Sequence, residues 1–327
     1  MHMMRLSADS VPTVLTLVAV TVGATVLLLA PHAGDIAGSF IDARQRSFLG
    51  VAFTGPELYR LFWVSGGLLG ALAFLLVGAW QGRLTAADVA AGPVYALGFV
   101  YGAMLEGRSE NTPLLEAAQF VPTQLVGPGM RLPLGVLVGG LLSLAWCRAT
   151  AAPWRLAGDR LAVAAATWEG FGRIGCLMAG CCTGTVCPAW MSSVCLRYPP
   201  RTDAFFEQMS TKLIDPTSPL SHPVHVLPVY FALASLALLA LLASLLRRNA
   251  PAGTLLAVYA VVYAIGKFGL ESLRGNPRTG MLMPVVLLTI LTLGLLAAPW
   301  GARQRVGSST RREGCPKEDE QSISCRP

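Results

Sequence analysis

The sequence predicts an all-α fold, namely a polytopic helical bundle that is integral to a membrane. Hydrophobic residues make up 54% of the 327 residues and charged residues only 13%, whereas soluble domains carry roughly 25% charged residues. The mean hydropathy is +0.56, and the apolar residues are gathered in long runs. This composition excludes a soluble enzyme, a disordered chain and a small disulfide-stabilised domain.

Long apolar runs predict the transmembrane helices, because a helix satisfies its own backbone hydrogen bonds where no water is present. Eight runs have roughly the 20 residues that a bilayer requires. The fourth run is short and the fifth contains glycine and charged residues, so a bundle of seven spans is the alternative. In chain order the runs are residues 11–30, 58–80, 86–104, 132–146, 161–180, 225–246, 252–270 and 282–299.

The first run and the charges of the loops predict the orientation of the bundle. Only Arg5 precedes residues 11–30 as a basic residue, and the run is longer than the apolar part of a signal peptide, so we expect it to remain as a helix. Arginine and lysine collect in short cytoplasmic connections, such as the one that holds Arg247 and Arg248. Both termini are therefore predicted to be cytoplasmic. The net charge of +7 follows from this pattern and does not indicate nucleic-acid binding.

Charged residues occur inside two of the predicted spans, where each costs at least about 2.5 kcal/mol. Glu169 and Arg173 lie four residues apart in the fifth run and share one helical face. The seventh run carries a phenol, two cations and a carboxylate along one stripe, formed by Tyr263, Lys267, Glu271 and Arg274. Such a stripe is expected to face the bundle interior. Each ion pair taken alone is equally consistent with a structural role.

The predicted orientation places these charged groups near the outer leaflet. Fixed cations at that level suit a lipid phosphate, which arginine binds through two hydrogen bonds and lysine as a point charge. A transporter would more often place its charges at the midplane between repeated halves. The sequence contains no convincing internal repeat.

Residues 172–184 form the most distinctive motif, GRIGCLMAGCCTG, whose glycines permit close backbone approach. The motif resembles the GRIGCF-x-x-GCC-x-G form of the signature of the prolipoprotein diacylglyceryl transferase family. The block HVLPVY at 225–230 and the stripe from Tyr263 to Arg274 match further family motifs in order and spacing. Weaker matches lie at residues 98–103 and 134–139.

The resemblance covers residues 58–299 and implies a membrane domain with a seven-helix transferase-like core. Residues 1–57 would add one extra N-terminal helix and an outer loop. Residues 300–327 are rich in Ser, Arg, Glu and Lys, and they are predicted to be a disordered cytoplasmic tail.

The resemblance also implies an activity, the transfer of a diacylglyceryl group from phosphatidylglycerol to the lipobox cysteine of a preprolipoprotein. The implied partners are that lipid and the signal peptide that carries the lipobox. The implied location is the bacterial cell (inner) membrane, with the site near the outer leaflet. No cofactor and no metal are expected.

Positions in the motifs imply a role for several side chains. Arg173 would hold the lipid phosphate, Lys267 would take the place of a family arginine, and Glu271 would orient the cations or carry a proton. His225 is the imidazole that can accept the thiol proton, and Gly184 would shape the site. The predicted catalytic residues are Arg173, Glu271, Lys267, His225 and Tyr263, and the predicted substrate-binding residues are Gly172, Cys176, Gly180, Gly184, Tyr230, Arg274 and Glu169.

The chain departs from the family pattern at several positions. Leu134 replaces a usual His or Tyr, Cys176 replaces an asparagine, Cys181 replaces an acid, and Phe231 stands where a glutamate often follows the tyrosine. Lys267 stands where the family has an arginine. This change matters because lysine cannot bind a phosphate through two parallel hydrogen bonds. These departures predict a divergent member with an altered substrate. A non-catalytic lipid-binding paralogue is the alternative, and a transporter ranks third.

Cysteines cluster at and beyond the end of the fifth run, in a segment predicted to face an oxidising compartment. We expect a disulfide between Cys181 or Cys182 and Cys187 or Cys195. Zinc is disfavoured because the spacing lacks two Cys-x-x-Cys pairs and the nearest histidines lie more than twenty residues away.

Overall fold

A computed structural model of the chain describes residues 10–29, 46–48, 51–53, 55–82, 84–108, 132–200, 202–274 and 282–297. Nine α-helices lie within these ranges, and eight of them correspond to the eight predicted apolar runs. The all-α class is therefore confirmed. The helices are α1 (Ser10–Leu29), α2 (Gly55–Trp80), α3 (Ala86–Arg108), α4 (Leu132–Ala149), α5 (Trp154–Met178), α6 (Asp203–Ser210), α7 (Leu227–Arg247), α8 (Thr254–Glu271) and α9 (Leu282–Ala297).

Short elements lie in the connections between the long helices. A two-stranded antiparallel hairpin joins β1 (Arg46–Phe48) to β2 (Val51–Phe53), and a 3-10 helix covers Ala189–Val194. Neither element was predicted from the sequence. The predicted tail at 300–327 lies outside the described residues, as do most of residues 31–57 and 109–131.

Four of the described helical segments are long and apolar enough to cross a bilayer. They are Tyr59–Trp80, Ala86–Leu105, Leu227–Arg247 and Thr254–Glu271. Shorter apolar segments lie in α1, α4 and α9. Helix α5 is less apolar because it carries acidic and basic residues, yet most of its residues are buried. It packs against α2, α7 and α8, so the surrounding helices shield its polar groups.

Helices α3 and α4 pack against each other through the two weakly matching glycine blocks. A Cβ atom at Gly102 would lie 2.6 Å from the carbonyl oxygen of Leu134, and one at Gly139 would lie 2.7 Å from that of Tyr95. These distances are too short for any side chain. Residues 98–103 and 134–139 are thus the contact surface of a helix pair, and Leu134 belongs to it.

Buried polar side chains fix the N-terminal part of α5 in the bundle. The carboxylate of Asp159 accepts hydrogen bonds from the backbone N–H groups of Gly253 at 2.7 Å and Leu256 at 2.9 Å, which caps the start of α8. Arg160 is fully buried and lies 3.5 Å from the carboxylate of Asp88. These contacts fix α3, α5 and α8 relative to one another. These contacts were not predicted from the sequence, because residues 159 and 160 precede the predicted fifth span.

Candidate active site

The charged residues predicted on the fifth and seventh spans lie close to one another between α5 and α8. On α5, Nη2 of Arg173 lies 3.1 Å from Oε1 of Glu169. On α8, Nζ of Lys267 lies 3.2 Å from Oε2 of Glu271, whose other oxygen pairs with the guanidinium of Arg274. We refer to these five residues, Glu169, Arg173, Lys267, Glu271 and Arg274, as the charged cluster.

Phe231 of α7 joins the two halves of the charged cluster. Its ring centroid is 4.3 Å from Cζ of Arg173 and 4.2 Å from Nζ of Lys267, so the ring makes a cation–π contact with both. Phe231 is buried. In the sequence, Phe231 stands out only as a departure from the family pattern, because its contact depends on the packing of three helices.

The charged cluster is deeply buried. Arg173 is 4% exposed, Lys267 6% and Glu271 7%, and buried charges persist only when partners satisfy them. Within the described residues, Nε of Arg173, Nε of Arg274 and Oε2 of Glu271 have no hydrogen-bond partner, but the last two belong to ion pairs, whereas Arg173 pairs with Glu169 through Nη2. Nε of Arg173 is therefore a buried donor on a charged group with no partner among the described residues.

The segment after α5 connects the charged cluster to the ends of two other helices. Helix α5 ends at Met178, and Gly180 and Cys182 then adopt left-handed conformations with φ of 61° and 60°. The backbone N–H of Gly184 donates to the carbonyl of His225 at 2.9 Å, and that of Thr185 donates to Leu273 at 2.8 Å. The glycine–cysteine motif is thereby held between the start of α7 and the end of α8.

Gly184 fills a position that has no room for a side chain. A Cβ atom there would lie 2.6 Å from Cβ of His225 and 2.8 Å from the carbonyl oxygen of Leu273. We therefore expect Gly184→Ala to lower the thermal midpoint of the purified protein and to reduce its activity, because the segment must move away from both helices. Gly266→Ala is the matched control, since no atom lies within 4 Å of a Cβ there and alanine favours a helix by up to about 1 kcal/mol. Equal midpoints for the two variants would refute this role of Gly184.

His225 and Tyr230 lie together at the start of α7, as their spacing predicted. Nδ1 of His225 is 3.3 Å from the hydroxyl of Tyr230, and the imidazole is buried. His225 also accepts the hydrogen bond from Gly184 described above, which places it beside the glycine–cysteine motif. The backbone of His225 is therefore held against the glycine–cysteine motif.

The remaining predicted residues occupy the core next to the charged cluster. Tyr263 lies one turn before Lys267, and its ring stacks on Tyr259 with a centroid distance of 5.5 Å. Gly172 contacts the indole ring of Trp63, from which a Cβ atom would lie 3.3 Å away. Tyr263 and Glu169 line a small cavity, together with Trp63, Tyr95, Phe99, Val136, Ala165, Trp168 and Tyr259.

The predicted disulfide pairing is wrong. Cys187 and Cys195 bond to each other, with their Cα atoms 6.5 Å apart, because the 3-10 helix Ala189–Val194 returns the chain on itself. Cys181 and Cys182 are free thiols, since the left-handed turn directs them back to Cys176 at the end of α5. Hydrogen bonds with Cys176 and Cys181, and then the charges of Arg274 and Arg173, hold the pKa of the Cys182 thiol well below its usual range.

A larger apolar cavity of about 310 Å³ lies between α4, α5, α8 and α9. Its lining reaches from Arg148 and Trp154, at the end of the bundle away from the charged cluster, to Tyr95 and Ala165 near the bundle centre. Four residues line both this cavity and the small cavity at Glu169, namely Tyr95, Val136, Ala165 and Tyr259. The two cavities thus share a wall, which separates the small cavity at Glu169 from the larger apolar one.

The sequence profile of the prolipoprotein diacylglyceryl transferase family matches residues 120–300, which is more than half of the chain. The chain belongs to this family. The match includes α4, α5, α7, α8 and α9, and therefore every residue of the charged cluster. The resemblance drawn from the motifs is confirmed, and the apolar helices with the family membership identify a multi-pass bacterial membrane protein.

Three curated relatives show the same similarity. The chain is 29% identical over 163 residues to phosphatidylglycerol–prolipoprotein diacylglyceryl transferase 2 of Clostridium perfringens, covering 49% of this chain and 57% of that protein. It is 30% identical over 182 residues to the phosphatidylglycerol–prolipoprotein diacylglyceryl transferase of Bifidobacterium adolescentis, covering 54% and 53%. The corresponding protein of Clostridium tetani is 27% identical over 150 residues, covering 46% and 53%. The chain thus spans about half the length of the curated relatives it matches.

Proposed function

We propose that this protein transfers a diacylglyceryl group from phosphatidylglycerol to the lipobox cysteine thiol of a preprolipoprotein. The observation that carries the proposal is the buried pair of cations, Arg173 and Lys267, around Phe231. Both cations lie in segments that match the family profile, and Arg173 retains an unpaired Nε. The names of the relatives supply the donor lipid, the acceptor and the transferred group.

The reaction exchanges a carbon–oxygen bond for a carbon–sulfur bond. The thiol of the acceptor loses its proton, and the sulfur forms a bond to the glyceryl carbon of the lipid. The bond between that carbon and the phosphate oxygen breaks, and its electron pair leaves with glycerol phosphate. No oxidant, reductant or cofactor is needed, because the proton and the electron pair account for all changes.

Arg173 is the residue that we assign to the phosphate, because its free Nε and its charge can stabilise the leaving group. Lys267 adds a second positive charge on the other side of the cluster, and Arg274 a third. Glu271 holds Lys267 and Arg274 in place through its two oxygens. The three cations and two carboxylates leave one net positive charge for the anionic substrate.

His225 is the base that we assign to the acceptor thiol. When Nδ1 donates its hydrogen bond to the Tyr230 hydroxyl, Nε2 is the ring atom that can accept a proton. The thiol would then approach along the segment from Gly180 to Gly184. We assign the remaining predicted residues to contacts with the substrates or to the shape of their binding site. These residues are Gly172, Cys176, Tyr230, Glu169 and Tyr263.

We place the acyl chains of the donor in the larger apolar cavity, which shares a wall with the small cavity at Glu169. The cavity of about 310 Å³ is lined mainly by apolar side chains of four helices, which suits hydrocarbon. With both termini cytoplasmic, the charged cluster lies toward the outer leaflet and the cavity reaches toward the inner side. The lipobox peptide would reach the site from the outer side.

The direct test uses the purified full chain in detergent with phosphatidylglycerol and a peptide that contains a lipobox. Mass spectrometry of the peptide should show the mass of one added diacylglyceryl group, and glycerol phosphate should appear in equal amount. Binding of the lipid without either product would favour a lipid-binding paralogue. Folded protein that neither binds phosphatidylglycerol nor transfers its diacylglyceryl group would contradict the proposal.

Gly140→Phe is expected to reduce transfer from long-chain phosphatidylglycerol. Gly140 lines the apolar cavity, and no atom lies within 4 Å of a Cβ there, so the added ring occupies space without moving the backbone. A misfit in an apolar pocket costs about 1–3 kcal/mol, or roughly 10- to 200-fold in kcat/KM. A donor with six-carbon acyl chains should be affected much less.

Gly269→Phe provides the control for the cavity. Gly269 is an exposed helical glycine whose Cβ would also meet nothing within 4 Å, and it does not line the cavity. This variant should keep the kcat/KM of the parent protein for both donors. Equal rates for Gly140→Phe and the parent protein with long-chain lipid would show that the acyl chains lie elsewhere.

A further inference from the structure

Three free thiols converge beside the charged cluster. The Sγ atoms of Cys176, Cys181 and Cys182 all lie within 4.8 Å of one another, and none belongs to the Cys187–Cys195 disulfide. Three sulfur ligands bound at about 2.3 Å to a common ion lie about 4 Å apart. Little movement therefore separates the observed arrangement from a three-sulfur metal site. We refer to these three residues as the thiol cluster.

The backbone holds the thiol cluster in this arrangement. Cys176 lies in the last turn of α5, and its carbonyl accepts the N–H of Cys181 at 3.2 Å and the thiol of Cys181 at 3.6 Å. Gly180 and Cys182 are both in the left-handed region, which costs a non-glycine residue about 1–3 kcal/mol. Cys182 keeps this conformation because the hydrogen bonds at Gly184 and Thr185 fix the following segment.

The surroundings of the thiol cluster favour negative charge. Arg173 lies three residues before Cys176, one turn away on the same helix, and the backbone of Arg274 pairs with Gly184, two residues beyond Cys182. Three cations against two carboxylates leave the adjacent charged cluster with one net positive charge. A monovalent cation with three thiolates is an anionic group, which this neighbourhood would stabilise.

We propose that Cys176, Cys181 and Cys182 form a binding site for one Cu(I) ion. Sulfur ligands select soft ions such as Cu(I), whereas structural zinc requires four ligands. Among the described residues, no fourth His, Cys, Asp or Glu side chain joins this group. Binding exchanges the thiol protons for the metal and involves no change of oxidation state. The site goes beyond the proposed transferase reaction, which needs no metal.

The test measures Cu(I) binding to the purified full chain under anaerobic conditions with ascorbate. Competition with bathocuproine disulfonate should give one Cu(I) per chain, and a thiolate-to-copper absorption band should appear in the ultraviolet. Cys182→Ser should weaken binding at least about tenfold, since even residues that only support a metal ligand contribute 10- to 100-fold. Absence of binding by the unmodified chain would overturn the proposal.

The remaining cysteines of the chain provide the control. Cys147 is buried near the opposite end of the bundle, and Cys315 and Cys325 lie outside the described residues. The variant C147S/C315S/C325S should bind Cu(I) as the parent chain does. Loss of binding in this variant, or binding that survives Cys182→Ser, would place the metal elsewhere.

Alkylation of the unmodified chain tests the site without relying on any variant. Peptide mass spectrometry should show that Cu(I) protects Cys176, Cys181 and Cys182 from N-ethylmaleimide. The same spectra report whether these residues form a disulfide in protein extracted from membranes. Labelling that Cu(I) does not change, or a disulfide within the thiol cluster, would contradict the proposal whether or not the protein transfers lipid.

Discussion

Arg173→Ala is expected to reduce diacylglyceryl transfer at least about a hundredfold while the protein still accumulates in the membrane. Removal of one donor that stabilises a developing charge typically costs 10²- to 10³-fold in kcat. Arg173 is buried, pairs with Glu169 and contacts Phe231, and its Nε remains available to a ligand. The measurement is the rate of appearance of the modified lipobox peptide at saturating phosphatidylglycerol.

Arg155→Ala is the matched control for Arg173→Ala. Both arginines belong to α5, but Arg155 is exposed at the other end of the helix, where it contacts the ring of Trp154. We expect this variant to keep the parent rate. Arg173→Lys keeps the positive charge but lacks the planar guanidinium group, so its transfer rate should lie between those of Arg173→Ala and the parent protein. A parent-like rate for Arg173→Ala would show that this ion pair has a structural role alone.

Glu271→Ala is expected to abolish transfer and also to destabilise the protein by about 3–5 kcal/mol, because removal of one partner leaves buried cations without compensation. Glu271 pairs with Lys267 and Arg274 and is 7% exposed. Thermal unfolding of the purified variant and the peptide assay measure the two effects separately. The variant should still be found in the membrane.

The double variant Glu271→Ala/Lys267→Met separates stability from catalysis. Replacing both members of a buried ion pair by apolar groups is often close to neutral for stability, so the thermal midpoint should recover the part of its loss that comes from Lys267, while Arg274 still lacks its partner. Transfer should remain absent, because Lys267 and Glu271 both belong to the proposed site. If transfer returned together with stability, these two charges would be structural elements only.

Much of the fold could be predicted because the bilayer imposes a length on each helix. The eight apolar runs correspond to eight helices, and the runs at 132–146 and 161–180, which looked weakest, are α4 and α5. The reason for the weak signal at α5 is its central position, since a helix covered by others can carry the polar residues of a site. Length and hydropathy alone therefore underrate the helix that matters most.

Contacts along one helix were predictable, and contacts between helices were not. The pairs Glu169–Arg173 and Lys267–Glu271 follow from the separation of four residues. The position of Phe231 between Arg173 and Lys267 requires the packing of α5, α7 and α8. The family motifs indicated which segments belong together, but they gave no reason to expect an aromatic ring there.

The cysteine-rich segment shows why loop geometry limits sequence reasoning. In the sequence, Cys187 is closer to Cys181 and Cys182 than to Cys195. The disulfide nevertheless joins Cys187 to Cys195. Left-handed residues at 180 and 182 and a 3-10 helix at 189–194 decide which sulfur atoms meet. The spacing of the cysteines in the sequence does not predict the thiol cluster, because its three members come together only through that turn.

The central claim is that this chain transfers the diacylglyceryl group although Leu134, Cys176 and Lys267 depart from the family pattern. The most direct measurement is expression of the full chain in a bacterial strain depleted of its own transferase, followed by mass spectrometry of a reporter lipoprotein. We predict that the reporter carries a thioether-linked diacylglyceryl group with the parent chain and lacks it with Arg173→Ala. An unmodified reporter, with the parent chain present in the membrane, would contradict the account.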